Sequence, residues 1–221
     1  MNVIEALNSR YAARAFKPDP VSKETLLKIM TAATRSPSWA DTQPWEIFIA
    51  GGETLNRLRR SYLERFTAGA PSQTDLARPQ NWPPALQQRM AENGAYRFKI
   101  MGVDRNDENA RQANNRRNYE FFGAPVVVYL CLDRTLTPWS IYDLGMVSQS
   151  IMLAAQEYGV DSMPAVGLVA YPGLLRQELG IPDDLLVMMG LALGYGDADD
   201  PVNKPRSLRR PVEEAVRFKG F

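Results

Sequence analysis

Two arginines, Arg10 and Arg14, stand four residues apart in "SRYAARAF" (Ser9 to Phe16). A second basic group closes the chain, with Lys204, Arg206, Arg209, Arg210, Arg217 and Lys219 set against only Glu213 and Glu214. Guanidinium forks pair bidentately with phosphate oxygens, so two separated arginine stations beside backbone-stiffening prolines or glycines suit a dianionic phosphate gripped from two sides. Taken alone, the N-terminal pair reads equally well as a solvated pair at a fraying helix end. The C-terminal group shifts the balance toward the phosphate. No P-loop is present to cradle a nucleoside triphosphate, which leaves a cofactor phosphate as the sharper candidate.

Two further stretches carry polar or conformational features that a flat ligand could use. "SPSWADTQPW" (Ser36 to Trp45) puts hydroxyls and amides on a backbone kinked by two prolines, with Trp39 and Trp45 as aromatic walls. It reads either as a plain Pro/Ser loop or as a segment that hydrogen-bonds a polar ring or polyol. "MPAVG" (Met163 to Gly167) sets a proline and a glycine at a strand end, which is either an ordinary strand terminus or a place where a ligand approaches the backbone.

What the chain lacks narrows the chemistry further. It has no histidine and a single cysteine, Cys131. An imidazole base, a Ser-His-Asp or Cys-His nucleophile, a multi-thiolate metal site and an intrachain disulfide are therefore ruled out. If the chain is an enzyme, carboxylates, lysines, tyrosines or a cofactor must carry the reaction. The net charge is +1, and Lys and Arg are spread through the sequence without a block of interleaved aromatics, which argues against a nucleic-acid partner. "MNVIEALNSR" does not have the form of a secretion signal and no apolar run is long enough to span a bilayer, so a cytoplasmic protein with no membrane association is the simplest expectation.

The elements that must hold these residues can be read from periodicity. Residues 2–9 read as a short helix with Val3, Ile4 and Leu7 on one side, and Pro18 and Pro20 then enforce extended or turn backbone. Ser22 is the expected N-cap of a second helix whose Leu26, Ile29, Met30 and Ala33 share a buried face. "WEIFIA" (Trp45 to Ala50) reads as a strand, and the valine-rich "APVVVYLCL" (Ala124 to Leu132) as a strand buried on both faces. Thr137 and Pro138 form a cap and first helical position for a long helix that is apolar over most of its circumference, as a core or subunit-interface helix would be. "SMPAVGLVAYP" predicts a strand or strand and loop, "YPGLLRQELG" a short helix ended by Gly180, and "DLLVMMGLALGYG" another buried strand. The stretch from about 61 to 120 is polar and punctuated, and is expected to be an insertion wrapping a single domain over residues 1–221. This order of elements is α+β rather than a regular β-α alternation, and "GLALGYG" ends a strand without opening a helix, so it is no dinucleotide fingerprint.

In order and spacing these stations resemble the FMN-dependent nitroreductase family over nearly the whole chain. The opening motif of that family corresponds to "RYAARAF", its Pro-Ser loop to "SPSWADTQPW", its central helix to "DLGMVSQSIMLAAQEYG", and its later strands to "MPAVG" and "MGLALGY". "NYEFFGAP" and "DPVNKPRSLRRPVEEAVRFKGF" resemble the branch containing the nitrobenzoate reductases. The resemblance implies a nitroreductase-like fold, with a central mostly antiparallel sheet flanked by helices, in an intertwined homodimer with FMN at the subunit interface. It also implies reduction by NADH or NADPH and reoxidation by a nitroaromatic compound, reduced through nitroso to hydroxylamine in a ping-pong cycle. Related flavin reductases acting on quinones or activated alkenes, and a flavin-binding protein without turnover, are the alternatives.

Carried over residue by residue, the resemblance gives Arg10 and one or both of Arg206 and Arg209 to the FMN phosphate. It puts Arg14 near the flavin N1 and C2 carbonyl, where it would stabilise the negative charge of the reduced ring. Tyr11 and Ala12 belong to the same cofactor set. Pro37, Ser38, Trp39 and Gln43 would line the polyol and ring, Pro164, Ala165, Val166 and Gly167 would lie near N5, and Asn118 would meet the pyrimidine edge. The chain departs from the usual pattern at Ala12, where many relatives carry Ser, at Asp41, where they carry Asn, and at Ala165-Val166, where they carry an acidic residue.

Overall fold

The computed structural model describes residues 1–104 and 106–221. A 4-stranded sheet in the order β1-β2-β4-β3 forms its middle layer, from β1 (Glu46–Gly51), β2 (Val126–Asp133), β3 (Asp161–Ala165) and β4 (Leu185–Gly194). Every pairing between neighbouring strands is antiparallel, with a register shift between Leu130 and Cys131 where β2 meets β4.

Alternation along β2 divides the core into two layers. Val127, Tyr129 and Cys131 face a cluster built with Leu55, Leu58 and Tyr62 of α3 (Gly52–Thr67) and Leu175 of α7 (Pro172–Leu179). Val126, Val128, Leu130 and Leu132 face α2 (Lys23–Ala33) and α6 (Pro138–Glu157), through Ile29, Ala33, Leu144, Val147 and Ile151. Because both faces of β2 are covered, its sequence is apolar without a break.

Local signals set the helix ends. α1 (Val3–Ser9) starts with a capping box, in which Glu5 N–H donates to Asn2 Oδ1 at 2.9 Å and Asn2 N–H donates to Glu5 Oε2 at 3.0 Å. Ser22 caps α2 by accepting the Thr25 N–H at 3.0 Å. Gly180 ends α7 in the left-handed region at φ 66°, a conformation glycine adopts without a Cβ penalty. Thr137 occupies the N-cap of α6 with extended backbone, but its side chain makes no capping hydrogen bond, so Pro138 is the operative start signal.

The polar stretch begins later than its composition predicts. Residues 61–67 complete α3, and Tyr62 in that turn is fully buried, its hydroxyl donating to the Leu168 carbonyl at 2.9 Å. Leu55, Leu58 and Tyr62 fall on one helical face while Arg60, Glu64 and Arg65 point to solvent, so charge on the outer face masks a core helix. The segment that leaves the body carries α4 (Pro84–Met101) and α5 (Glu108–Tyr119), and it returns where Tyr119 stacks on Phe66 at 4.5 Å between ring centroids. Beyond β4, a turn at Pro201–Asn203 leads to an extended tail with one short helix, α8 (Val212–Ala215). No described helix is long and apolar enough to cross a membrane.

Candidate functional site

The arginine motif runs as an extra extended segment along the edge of β3. Ala12 bridges Ser162 in parallel sense, Ala13 N–H donates to the Ser162 carbonyl at 3.0 Å, and Phe16 bridges Gly196. A single buried amide, Asn203, fixes this path. Its Oδ1 accepts the Arg14 backbone N–H at 2.7 Å, while its Nδ2 donates to the carbonyls of Ala15 at 2.7 Å and Asp197 at 2.8 Å. The turn that presents Asn203 is held by Asp200, whose Oδ1 accepts the Val202 N–H at 2.9 Å.

The same clamp brings the C-terminal arginines back to the N-terminal pair. The Arg206 guanidinium lies 3.9 Å from the centroid of the Tyr11 ring, and Arg209 is close enough to Arg10 to oppose its charge. The Tyr11 hydroxyl reaches Asp161 Oδ2 at 3.4 Å, and burial together with that carboxylate pushes its ionisation upward. Gly196 makes this approach possible, since a Cβ there would stand 2.5 Å from both Asp161 Oδ2 and the Tyr11 hydroxyl.

Arg14 forms a second station. Its Nη1 donates to its neighbour's carbonyl, Ala12 O, at 3.0 Å, and burial followed by repulsion from Arg97 of α4 pushes its pKa down to about 10. It remains a cation at neutral pH. The pKa of Arg97 is itself lowered by burial, and its Nε and Nη2 are buried without a hydrogen-bond partner among the described residues. Among the described residues none of the ion pairs includes Arg10, Arg14, Arg97, Arg206 or Arg209. Arg206 and Arg209 are exposed, but holding the partly desolvated Arg10, Arg14 and Arg97 without a carboxylate is costly, and an anion among them would offset that cost.

Beside the arginine segment, β3 delivers the "MPAVG" residues to a cavity of about 470 Å³. Asn118, Met163, Pro164, Ala165, Val166 and Gly167 are among the residues that line it. Gly167 and Asn118 are in close contact, and a Cβ at residue 167 would lie 2.9 Å from the Cβ of Asn118. The contact sets α5 against the end of β3.

The third predicted station lies elsewhere in the chain. The Ser36 and Ser150 hydroxyls are hydrogen-bonded at 2.7 Å and Trp39 N–H reaches Asp143 Oδ2 at 3.4 Å, which seats the loop along the middle of α6, with Trp39 toward its N-terminal end. Within the loop, Ser38 Oγ accepts the Gln43 N–H at 2.9 Å, and Ala40, Asp41 and Gln43 take positive φ. Ser9, next to Arg10, instead donates to Gln156 Oε1 near the end of α6 at 3.1 Å. From Asp143 to Gln156 the helix rises about 20 Å at 1.5 Å per residue. One chain therefore unites Arg10, Tyr11, Ala12, Arg14, Arg206 and Arg209 with the β3 end and Asn118, and leaves Pro37, Ser38, Trp39 and Gln43 apart from them.

Asn203, Asp161, Gly196 and Arg97 escape a reading of motifs. Asp200-Pro201 signals a turn before Asn203, but nothing in the sequence tells which backbone, 189 residues away, that amide will hold.

The model of the nitroreductase family matches residues 7–195. The chain belongs to the nitroreductase family. It is 31% identical over 214 residues to a 4-nitrobenzoate reductase of Pseudomonas putida, covering 96% of this chain and 93% of the relative. It is 32% identical over 225 residues to a nitrobenzene nitroreductase of Ectopseudomonas oleovorans, covering 97% and 95%. Among solved structures it is similar to the FMN and NADPH-dependent nitroreductase NfnB of Sphigopyxis sp. strain HMH, with a TM-score of 0.94 at 32% identity over 100% of both chains. The FMN-dependent NfnB of Mycobacterium smegmatis, solved in complex with NADPH, gives a TM-score of 0.91 at 29% identity over 99% of this chain and 100% of that one. The β3 edge, the arginine stations and the extended tail of this nitroreductase-family chain thus lie within an alignment that runs nearly end to end.

Proposed function

We propose that this chain is an FMN-dependent oxidoreductase that takes hydride from NADPH or NADH and reduces nitroaromatic compounds to hydroxylamines. The observation that carries the reading is the pair of arginine stations without carboxylate partners among the described residues, built along β3 inside a nitroreductase-family fold. The donor set fits FMN. Arg10, Arg206 and Arg209 would hold the phosphate, and Arg14 and Asn118 the pyrimidine side, with Pro164, Ala165, Val166 and Gly167 as the backbone wall. Bound FMN would supply the two-electron chemistry, which a chain without histidine does not need to supply itself. The residues position the ring, and Arg14 favours negative charge beside it.

Pro37, Ser38, Trp39 and Gln43 complete this site only from a second copy. Along α6, Tyr142 and Gly145 are exposed, Met146, Gln149 and Leu153 are half-buried, and a Cβ at Gly145 would meet nothing within 4 Å. These residues follow the three- and four-residue spacing of one helical face. Two α6 helices packed antiparallel about a twofold axis would set the Asp143 end of one beside the Gln156 end of the other, bringing the loop of one protomer to the arginines of its partner. The exposed Val3, Ile4 and Leu7 of α1, and Leu208, Val212, Phe218 and Phe221 of the tail, offer further apolar surface for that homodimer.

The test is anaerobic turnover with NADPH or NADH and 4-nitrobenzoate, with products resolved by chromatography. The arylhydroxylamine is the expected product. Turnover confined to quinones or activated alkenes, with 4-nitrobenzoate untouched, would replace the substrate class while leaving the flavin assignment in place.

A further inference from the structure

We propose that Arg97, carried into the site by α4, is a second cofactor-contacting guanidinium that works with Arg14 to hold the negative charge of reduced FMN on the pyrimidine side of the ring. This inference rests on the FMN reading above. α4 belongs to the polar stretch between α3 and β2, and it packs on the Pro201–Asn203 turn that clamps the Arg14 backbone. One face of one turn of α4 presents two orphaned polar groups, Asn93 Oδ1 and, four residues on, Arg97 Nε with Nη2. Such atoms are costly to bury without a partner, and most buried polar groups in folded proteins are paired.

Several observations separate this site from the phosphate station. Arg10 feels Arg209, and Arg206 covers Tyr11, whereas the charge that Arg14 feels is that of Arg97. Neither Arg14 nor Arg97 has a carboxylate within ion-pair distance among the described residues. Two like charges confined in one partly desolvated place gain most from a ligand whose charge becomes more negative there, and a flavin does so on reduction. The surface segment would thus contribute to the redox properties of the cofactor as well as covering the fold.

The test compares wild-type, Arg97→Gln and Arg97→Lys holoproteins, reading FMN affinity and the FMN midpoint potential together. The proposal expects Arg97→Gln to bind reduced FMN about tenfold more weakly relative to oxidised FMN, the ~1.4 kcal/mol that a decade of affinity represents. That loss appears as a more negative potential, and Arg97→Lys recovers part of it. Equal weakening for both redox forms, with the potential unchanged, would assign Arg97 to the phosphate and overturn the proposal. Full retention of both affinity and potential would make Arg97 structural and overturn it as well. A wild-type protein that binds no FMN would instead defeat the underlying flavin reading.

Discussion

Asn203 Oδ1 accepts the backbone N–H of Arg14 at 2.7 Å, across 189 residues of sequence. This one bond ties the first arginine motif to the turn that launches the second. Through Nδ2 the same amide also holds the carbonyls of Ala15 and Asp197, so it positions both cation groups without needing to touch a ligand.

Replacing Asn203 with Ala removes three hydrogen bonds and leaves buried backbone groups unpaired. Stability should fall by roughly 2–3 kcal/mol at about 1 kcal/mol per bond. FMN affinity should fall with it, because the arginine stations lose their common anchor. Denaturant titration and FMN fluorescence quenching read the two effects separately, and a variant with wild-type FMN affinity would show that the anchor is dispensable.

Gly196→Ala tests the close approach at Tyr11. The added methyl would sit 2.5 Å from Asp161 Oδ2 and from the Tyr11 hydroxyl, so one of them must move, and a shift of Tyr11 displaces the ring beneath Arg206. A destabilisation of about 1–3 kcal/mol, typical of overpacking, is expected, with weaker FMN binding. Unchanged thermal stability would mean that the glycine is not required there.

Arg14→Met separates function from stability. The substitution keeps the packing volume of the stem but deletes a partly buried cation whose guanidinium has, among the described residues, only the Ala12 carbonyl as a protein partner. The apo form should gain about 1–2 kcal/mol from losing an uncompensated buried charge. FMN affinity and the rate of flavin reduction should both drop about tenfold or more with the lost charge-assisted contact. A destabilised apo variant that binds and reduces FMN normally would place Arg14 in the scaffold instead.

Met146→Glu addresses the proposed α6 interface. Met146 lies on the helix face that neither core cluster covers. Light scattering should find monomers, and FMN affinity should decline because the Ser38 loop no longer reaches the arginines of its partner. An intact dimer with full FMN occupancy would place the interface elsewhere.

Much of this architecture was legible in the residues themselves. Ser22, Gly180 and the continuous valines of β2 specify their elements locally, and Arg10 and Arg14 stand out by type and spacing. The boundary near 61 was not legible, because the outward charges of α3 hide a face built by Leu55, Leu58 and Tyr62. Asn203 was invisible because its role consists of hydrogen bonds to backbone distant in sequence. The arginines of α4 read as solvent-exposed charge in any local window, and only folding brings the charge of Arg97 within reach of Arg14. Motifs named the candidate residues, whereas the long-range contacts that position them emerge only from the fold.

The most direct measurement is the visible spectrum of the purified protein reconstituted with FMN, recorded anaerobically before and after addition of NADPH or NADH. The account predicts a tightly bound flavin whose absorption bleaches on addition of the nicotinamide and returns when 4-nitrobenzoate is supplied. A protein that stays colourless after FMN is offered, or whose bound flavin neither nicotinamide reduces, would contradict it.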